Sequence, residues 1–476
     1  MSRGVEDALV TGSPSRASGE VELGLEPPPQ GSGPPGPGPS LGVWELAWPS
    51  MAMFGLHSLV GVVDFVFVSS LGTQAIAAVG VAHQLHFFVF AALGAVTTGT
   101  VAVVAREWGA GRHDEVGRVT RASVLLTGGF AFLLMGLGPF AAPVMGWLGA
   151  EPAVTRLGAE CLWLLLLFNV PLAAEVALSM ALRAAGDVRT PLLVGIVANA
   201  LNVVLDYAFV FGRLGAPELG ALGSALATGL SFTFGAVLLF ALWVRGSLVL
   251  PRGAWRGALT VQRGLRLTRI GLPTALEQGA FQVGLLLFLA IVADFGTAAI
   301  SAYLIGVRIL ALSFVPGLGF ATAASTLVGQ HLGADAPDAA SHSGWRANRG
   351  AIAVMGTLGL SIVLAAGPLA RIFGAAGSET IDLAITFIYV LGAAQPLMAV
   401  EFAMGGALRG AGDTRFPLYA ILTGLFVCRL GAAWWIVVPL GGGVVAVWCC
   451  LLADYSARAG LLAWRFASGR WRQVEV

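Results

Sequence analysis

The sequence has few charged side chains: 11% of its 476 residues are Asp, Glu, Lys or Arg, whereas soluble proteins have about 25%. It has no lysine, so all 27 basic residues are arginine. The net charge of +1 gives no reason to expect a nucleic-acid partner. With 57% hydrophobic residues, the composition excludes a soluble protein and indicates an all-α polytopic membrane protein.

Motifs of common enzyme chemistry are also missing. There is no Gly-x-x-x-x-Gly-Lys phosphate loop, no His-Glu-x-x-His and no Asp-rich prenyl-diphosphate motif. The four cysteines lie in apolar runs, with neither the spacing of zinc ligands nor a disulfide pattern; they are Cys161, Cys428, Cys449 and Cys450. We therefore expect no enzyme, no metal site and no cofactor.

Residues 1–42 are mostly Pro, Gly and Ser, and such a segment buries too little apolar surface to fold. We predict a disordered cytoplasmic tail. It has no basic start followed by an apolar core and a cleavage site, so it does not resemble a signal peptide.

Apolar stretches long enough to cross a membrane recur from residue 44 onward, since a span needs about 20 such residues. Twelve transmembrane helices are predicted, at about 44–70, 76–105, 120–146, 154–183, 188–212, 219–246, 264–293, 297–330, 349–374, 379–409, 414–438 and 441–467.

The arginines indicate the orientation of these helices. With both termini cytoplasmic, nineteen arginines of the connections and the C-terminus lie inside, and only Arg156, Arg213 and Arg371 lie outside. This asymmetry follows the positive-inside rule. The prediction is a multi-pass protein of the plasma membrane, here a bacterial inner membrane.

The chain contains an internal repeat. The sequence Ala-Leu-Arg-Ala-Ala-Gly-Asp-Val-Arg-Thr-Pro at 181–191 returns at 407–417 as Ala-Leu-Arg-Gly-Ala-Gly-Asp-Thr-Arg-Phe-Pro, and Pro49 matches Pro273. Two six-helix halves inserted the same way round are typical of transporters that work by alternating access. A duplicated membrane enzyme is the alternative.

The repeat sets the predicted domains. These are an N-lobe at 43–247, a cytoplasmic linker at 248–262, a C-lobe at 263–470 and a C-terminal tail at 471–476.

Polar residues inside two spans form the main candidate site. Asn199, Asn202 and Asp206 are spaced i, i+3, i+7, so they share one helix face, and Asp64 lies inside the first span. Such residues are costly in a membrane unless neutralised. We expect Asp64 and Asp206 to take up a proton or Na⁺; an Asp at a helix end near the outer interface is the alternative.

Several motifs resemble the multidrug and toxic compound extrusion (MATE) transporters over about residues 43–470. They are Val-Val-Asp-Phe-Val-Phe-Val-Ser-Ser-Leu-Gly (62–72), Ala-Leu-Arg-Ala-Ala-Gly-Asp (181–187) with its copy at 407–413, Asn-Val-Val-Leu-Asp-Tyr (202–207), Gly-Leu-Pro-Thr-Ala-Leu-Glu-Gln (271–278) and Val-Gly-Gln-His-Leu-Gly-Ala (328–334). The first- and fifth-helix aspartates resemble the prokaryotic branch that includes DinF-type proteins.

The resemblance implies two pseudo-symmetric six-helix bundles in a V, and efflux of organic, often cationic, compounds driven by inward H⁺ or Na⁺. Carried over by residue, it implies an N-lobe cation site of Asp64, Asn202 and Asp206, with a hydroxyl from Ser224 or Thr228. The family usually has Thr at the position of Ser224, which leaves the fourth ligand open.

A secondary charged site is also possible. Glu175 and Glu401 occupy equivalent positions in the two halves, and Glu401 could bind a cationic substrate or a second cation. Either could instead pair with an intramembrane arginine such as Arg429 or Arg308. Glu277 is interpreted as structural, and Asp454 with Arg458 as an i, i+4 ion pair.

The main rival function is a lipid-linked sugar flippase of the same superfamily, which Arg308 and Arg429 keep open. We expect small-molecule substrates, contacts with membrane lipids and a monomer.

Overall fold

The computed structural model describes residues 41–147, 149, 151–372 and 378–474, and this part is helical with no strand. The α-helices are α1 (Val43–Ser69), α2 (Thr73–Gly109), α3 (His113–Met135), α4 (Ala141–Trp147), α5 (Pro152–Leu167), α6 (Asn169–Ala184), α7 (Arg189–Phe211), α8 (Ala221–Arg245), α9 (Val261–Ala293), α10 (Thr297–Gly333), α11 (Pro337–Leu364), α12 (Ala366–Ile372), α13 (Ser378–Gly410), α14 (Arg415–Ile421), α15 (Ala432–Val437) and α16 (Val444–Ala467).

The described residues contain eleven candidate membrane spans, and the bent pair α5 and α6 supplies a twelfth. The predicted all-helical fold with twelve spans is confirmed. The predicted tail at 1–42 lies outside the described residues, except for Leu41 and Gly42.

Three predicted spans are less regular than hydropathy indicated. The fourth bends by 50° between α5 and α6; Pro171 follows this break and has no N–H to continue the hydrogen bonding. The third is interrupted at Gly138–Phe140 by a 3₁₀ turn that contains Pro139. The eleventh contains a π-helix at Leu422–Gly431. Hydropathy measures composition and does not register these changes in backbone hydrogen bonding.

Helix ends also differ from the predicted span ends. The ninth span was predicted to begin at residue 349, but α11 begins at Pro337. Its first turns are polar, because the helix continues beyond its apolar part. At the C-terminus, Arg470–Gln473 forms a 3₁₀ turn in which Trp471 is buried and stacks on Phe466.

The two halves repeat the same helix contact. In the N-lobe the repeated arginine, Arg183, contacts Met53, with 2.9 Å between Nη2 and Sδ. In the C-lobe its counterpart Arg409 pairs with Glu277 at 3.3 Å. Met53 and Glu277 are themselves related by the offset that joins Pro49 to Pro273. The sequence repeat is therefore also a repeat of packing.

The N-lobe and C-lobe meet backbone to backbone at one end of the bundle. We call this the arginine-rich end; it carries the connections 110–112, 185–188, 246–260, 334–336 and 411–414. A Cβ atom at Gly109 would collide with the carbonyl of Gln330, and one at Gly333 with the carbonyl of Arg106. Only glycine permits helices to approach this closely.

Polar contacts join the lobes at the same end. Glu115 on α3 pairs with Arg263 on α9 at 2.8 Å. The Gln330 side-chain amide donates to the carbonyl of Ala184 at 2.8 Å, and the hydroxyl of Thr326 donates to the carbonyl of Arg183 at 3.1 Å. The arginine-rich end is thus closed between the lobes.

We expect Gly109→Ala to destabilise the protein by about 1–3 kcal/mol, the usual cost of overpacking, because the added methyl group forces α2 away from α10. The measurement is the melting temperature in detergent. Gly80→Ala is the matched control, since it lies on the same helix and a Cβ atom there would meet no atom of a neighbouring helix within 4 Å. Equal melting temperatures for the two variants would contradict the close approach.

Candidate functional site

The polar face predicted on α7 points into the N-lobe. Asn202 and Asp206 are buried, with 3% and 0% of their surface exposed, and Asp64 on α1 is 8% exposed. Ser224 on α8 is also fully buried. Because α7 packs against both α1 and α8, the helix periodicity that placed Asn202 and Asp206 on one face brings them to these two neighbours.

These side chains form one connected group. With its amide oriented to suit its neighbours, Asn202 donates from Nδ2 to Asp64 Oδ1 at 3.2 Å, and its oxygen accepts from the backbone N–H of Thr228 at 3.3 Å. The carboxyl groups of Asp64 and Asp206 face each other, and the hydroxyl of Ser224 faces Asp206. The structure thus brings together Asp64, Asn202, Asp206 and Ser224 of the predicted cation site, and the fifth residue, Thr228, joins them through its backbone N–H.

The group has more acceptor oxygens than donors. Both carboxylate oxygens of Asp206, the Ser224 hydroxyl and the Thr228 hydroxyl have no well-aligned hydrogen-bond partner among the described residues. No described arginine or histidine lies within 4 Å of either carboxylate, as an ion pair would require. Two adjacent carboxylates cannot both stay charged in an apolar site without a proton or a cation. Carboxylate, amide and hydroxyl oxygens suit a hard cation.

Helix α1 connects this group to the interface between the lobes. Asp64 lies in its second half, whereas Gly319 of the C-lobe packs against Met51 and Ala47 in its first half. Pro49 lies between Ala47 and Met51. It has no N–H and cannot donate a backbone hydrogen bond to the preceding turn of the helix. A change at Asp64 and a change at the lobe interface therefore act on the same helix.

Glu401 pairs with an intramembrane arginine, which was one of the two alternatives for it, but the arginine is not one of the two named as examples. Glu401 binds Arg458 at 2.6 Å, and neither Arg429 nor Arg308. Arg458 also binds Asp454 at 2.5 Å, as the i, i+4 spacing predicted, and Asp454 binds Arg429 at 2.6 Å. The four charges alternate in sign, so the buried C-lobe cluster is neutral.

Glu175 has a different environment although it is the repeat equivalent of Glu401. Its carboxylate packs against Gly235, and Oε2 has no hydrogen-bond partner among the described residues. Gly235 corresponds to Arg458 by the offset of 223 that relates the helix N-caps Gly220 and Gly443. The contact between Glu175 and Gly235 is visible only in the structure, so the sequence repeat alone does not identify Arg458 as the partner of Glu401.

Within the described part of the chain, no three His, Cys, Asp or Glu side chains are grouped so as to hold a metal ion. His83 and His86 lie on the same face of α2, and His86 forms a hydrogen bond with Asn169 at 2.9 Å.

Comparison with known proteins identifies the family. The family model described as MatE matches residues 49–208 and 273–435, one segment in each half. The chain belongs to the MATE family. The family prediction is confirmed, while the placement in the DinF-type branch stays a prediction. As a MATE protein, the chain is a transporter rather than an enzyme.

Two curated MATE relatives match nearly the whole chain. The probable multidrug resistance protein NorM of Thermotoga maritima is 30% identical and aligns over 91% of this chain and 93% of its own length. The protein of the same name from Bradyrhizobium diazoefficiens is 31% identical over 85% and 88%.

A solved structure shows the same fold at low sequence identity. It is described as a MOP superfamily transporter from Pyrococcus furiosus whose binding pocket has reverse polarity. Its TM-score is 0.84 at 21% identity, covering 90% of this chain and 96% of that one. This likeness supports the MATE fold and carries no statement about substrate.

We expect Glu401→Gln to lower the stability of the protein by about 1–3 kcal/mol, because Arg458 loses one of its two buried partners. The matched variant is Glu175→Gln at the equivalent N-lobe position. It is expected not to lower the melting temperature in detergent, since it neutralises a buried carboxylate that has no ion pair. A similar fall for both variants would show that Glu175 has a partner of comparable strength.

Proposed function

We propose that this MATE transporter is a secondary active antiporter that exports organic, cationic or amphipathic compounds in exchange for inward H⁺ or Na⁺. The observation that carries the proposal is the pair Asp64 and Asp206, buried together without a positive partner among the described residues. Such a pair binds a proton or a cation far more readily than a single exposed carboxylate.

The charge of the N-lobe interior supports a cationic substrate. Asp64, Asp206 and Glu175 lie inside this lobe, and the described arginine buried near them is Arg183. Both curated relatives are called multidrug resistance proteins, which supports efflux of varied small molecules. A coupling ion at the Asp64 and Asp206 pair would cancel the negative charge that attracts a cationic substrate.

Alternating access is supported by how the lobes meet. The lobes are closed at the arginine-rich end by glycine contacts and by ion pairs such as Glu115 with Arg263. The side chains of Arg263 and Glu115 are 21% and 23% exposed, so water can replace their ion pair when the lobes part, and ion binding could tip the balance between closed and open. Helix α1 would carry the effect, because it holds Asp64 and also packs on the C-lobe.

The alternative function, a lipid-linked sugar flippase, was suggested by two arginines, and one of them no longer supports it. Arg429 is bound to Asp454 inside a neutral cluster and is not free to hold a phosphate. Arg308 is exposed and still supports the flippase function. We further propose a monomer in a bacterial inner membrane, with the arginine-rich end in the cytoplasm as the positive-inside rule requires.

We expect the protein reconstituted into liposomes to extrude a cationic dye under a pH gradient or under a Na⁺ gradient, imposed separately. Asp64→Asn and Asp206→Asn should each reduce this extrusion to the rate of protein-free liposomes, because the amide takes up neither ion. Asp294→Asn is the matched control, since Asp294 is exposed at the end of α9. Dye extrusion by both site variants at the wild-type rate would refute coupling at this pair, and extrusion under neither gradient would favour the flippase.

We expect a covalent link across the closed end to stop transport. Glu115→Cys and Arg263→Cys, introduced together after the four native cysteines are replaced by alanine, place two thiols on either side of the lobe interface. A short bismaleimide should abolish dye extrusion by the double variant and leave each single variant active. Continued extrusion by the linked protein would mean that the lobes need not separate at this end.

A further inference from the structure

A pocket separate from the cation site lies at the arginine-rich end of the N-lobe. It has a volume of about 190 Å³ and lies between α3, α8 and the connection 246–260. Its lining residues are Arg121, Trp243, Val244, Arg252, Gly253 and Trp255. The pocket thus combines two arginines with two indole rings, and its lining contains no acidic residue among those the structure describes.

Arg121 is buried without a negative partner. It is 5% exposed, and its Nε has no hydrogen-bond partner among the described residues. Among the described residues, the carbonyl of Pro251 accepts a long hydrogen bond from Arg121 Nη1 at 3.5 Å. A Cβ atom at Gly253 would lie 2.9 Å from Arg121 Nη2, so the glycine makes room for the guanidinium. Buried charges are normally paired, and Arg121 is not paired within this part of the chain.

Arg252 adds a second guanidinium to the same pocket. It donates from Nη1 to the carbonyl of Val244 at 3.1 Å, and no described carboxylate lies within 4 Å of it. Arg118 and Arg263 at the same end both bind Glu115. The pocket arginines differ from these in keeping donors available for an outside anion.

One of the two tryptophans, Trp255, is exposed and suits a position near the membrane surface, and the other, Trp243, packs beneath it. Trp243 and Trp255 contact each other with ring centroids 5.5 Å apart, and Trp243 Nε1 donates to the carbonyl of Leu250 at 3.2 Å. Indole rings of membrane proteins concentrate where lipid headgroups lie. Val244 is 55% exposed beside them, so an apolar surface continues from the arginines toward the lipid.

We propose that this pocket binds the phosphate group of an anionic membrane lipid. The two guanidinium groups supply donors that match phosphate oxygens, while the exposed surfaces of Trp255 and Val244 suit the glycerol and upper acyl chain. A basic pocket between helices on the arginine-rich side is a known type of lipid headgroup site. The bound lipid would fix the connection between the lobes to α3 and α8.

The test is native mass spectrometry of the purified full-length protein titrated with phosphatidylglycerol or with phosphatidylcholine. We expect phosphatidylglycerol to bind more tightly, and Arg121→Gln or Arg252→Gln to weaken its binding about fivefold each, the effect of removing one arginine near a lipid phosphate. Arg346→Gln is the matched control, because Arg346 is exposed at the same end in the C-lobe.

A variant that keeps both pocket arginines tests whether weaker lipid binding is only a result of unfolding. Gly253→Ala should also weaken phosphatidylglycerol binding, because its methyl group displaces the Arg121 guanidinium, and its melting temperature without lipid should stay near that of the wild type.

Three results would overturn the proposal. One is equal binding of the two lipids. Another is equal loss on Arg346→Gln, which would indicate general surface attraction. The third is displacement of phosphatidylglycerol by millimolar inorganic phosphate, which would assign the pocket to a soluble anion.

Discussion

Two carboxylates buried side by side without a positive partner among the described residues are the constraint on which the N-lobe depends. Asp64 and Asp206 lie on α1 and α7, and Asn202 links Asp64 to the backbone of α8. Without a proton or a cation, their mutual repulsion and desolvation work against the packing of these three helices. In the proposed antiport, the position of α1, and through it the contact with the C-lobe, would depend on whether the carboxylates hold a proton or a cation.

The two lobes have the same fold but differ in whether their buried carboxylates have arginine partners. In the C-lobe, Arg458 occupies the place of Gly235, so Glu401 is bound where Glu175 is not. The C-lobe also has Ala432 at the position equivalent to Asp206. The charges of its buried cluster are neutralised within the protein, and in the proposed mechanism this suits a rigid partner against which the N-lobe would move.

Much of this could be predicted from the sequence. The apolar segments gave the twelve spans, and the i, i+3, i+7 spacing placed Asn202 and Asp206 on one face. Local signals do not specify which distant side chains meet, so the Glu401 and Arg458 pair was missed although the Asp454 and Arg458 pair was found. The bend between α5 and α6 was also missed, because it depends on a single proline and on backbone hydrogen bonds that hydropathy ignores.

At the arginine-rich end, the two lobes contact each other through glycine residues. Where Gly109 and Gly333 meet opposing carbonyls, no side chains of these two residues interlock across the seam. The surfaces are smooth at these two glycines, so residues 109 and 333 can part from the opposing backbone without a change of rotamer. In the proposed alternating access, these glycine contacts would part without side-chain rearrangement, whereas the hydrogen bonds of Gln330 and Thr326 and the apolar packing of Leu267 against α2 would have to be broken beside them.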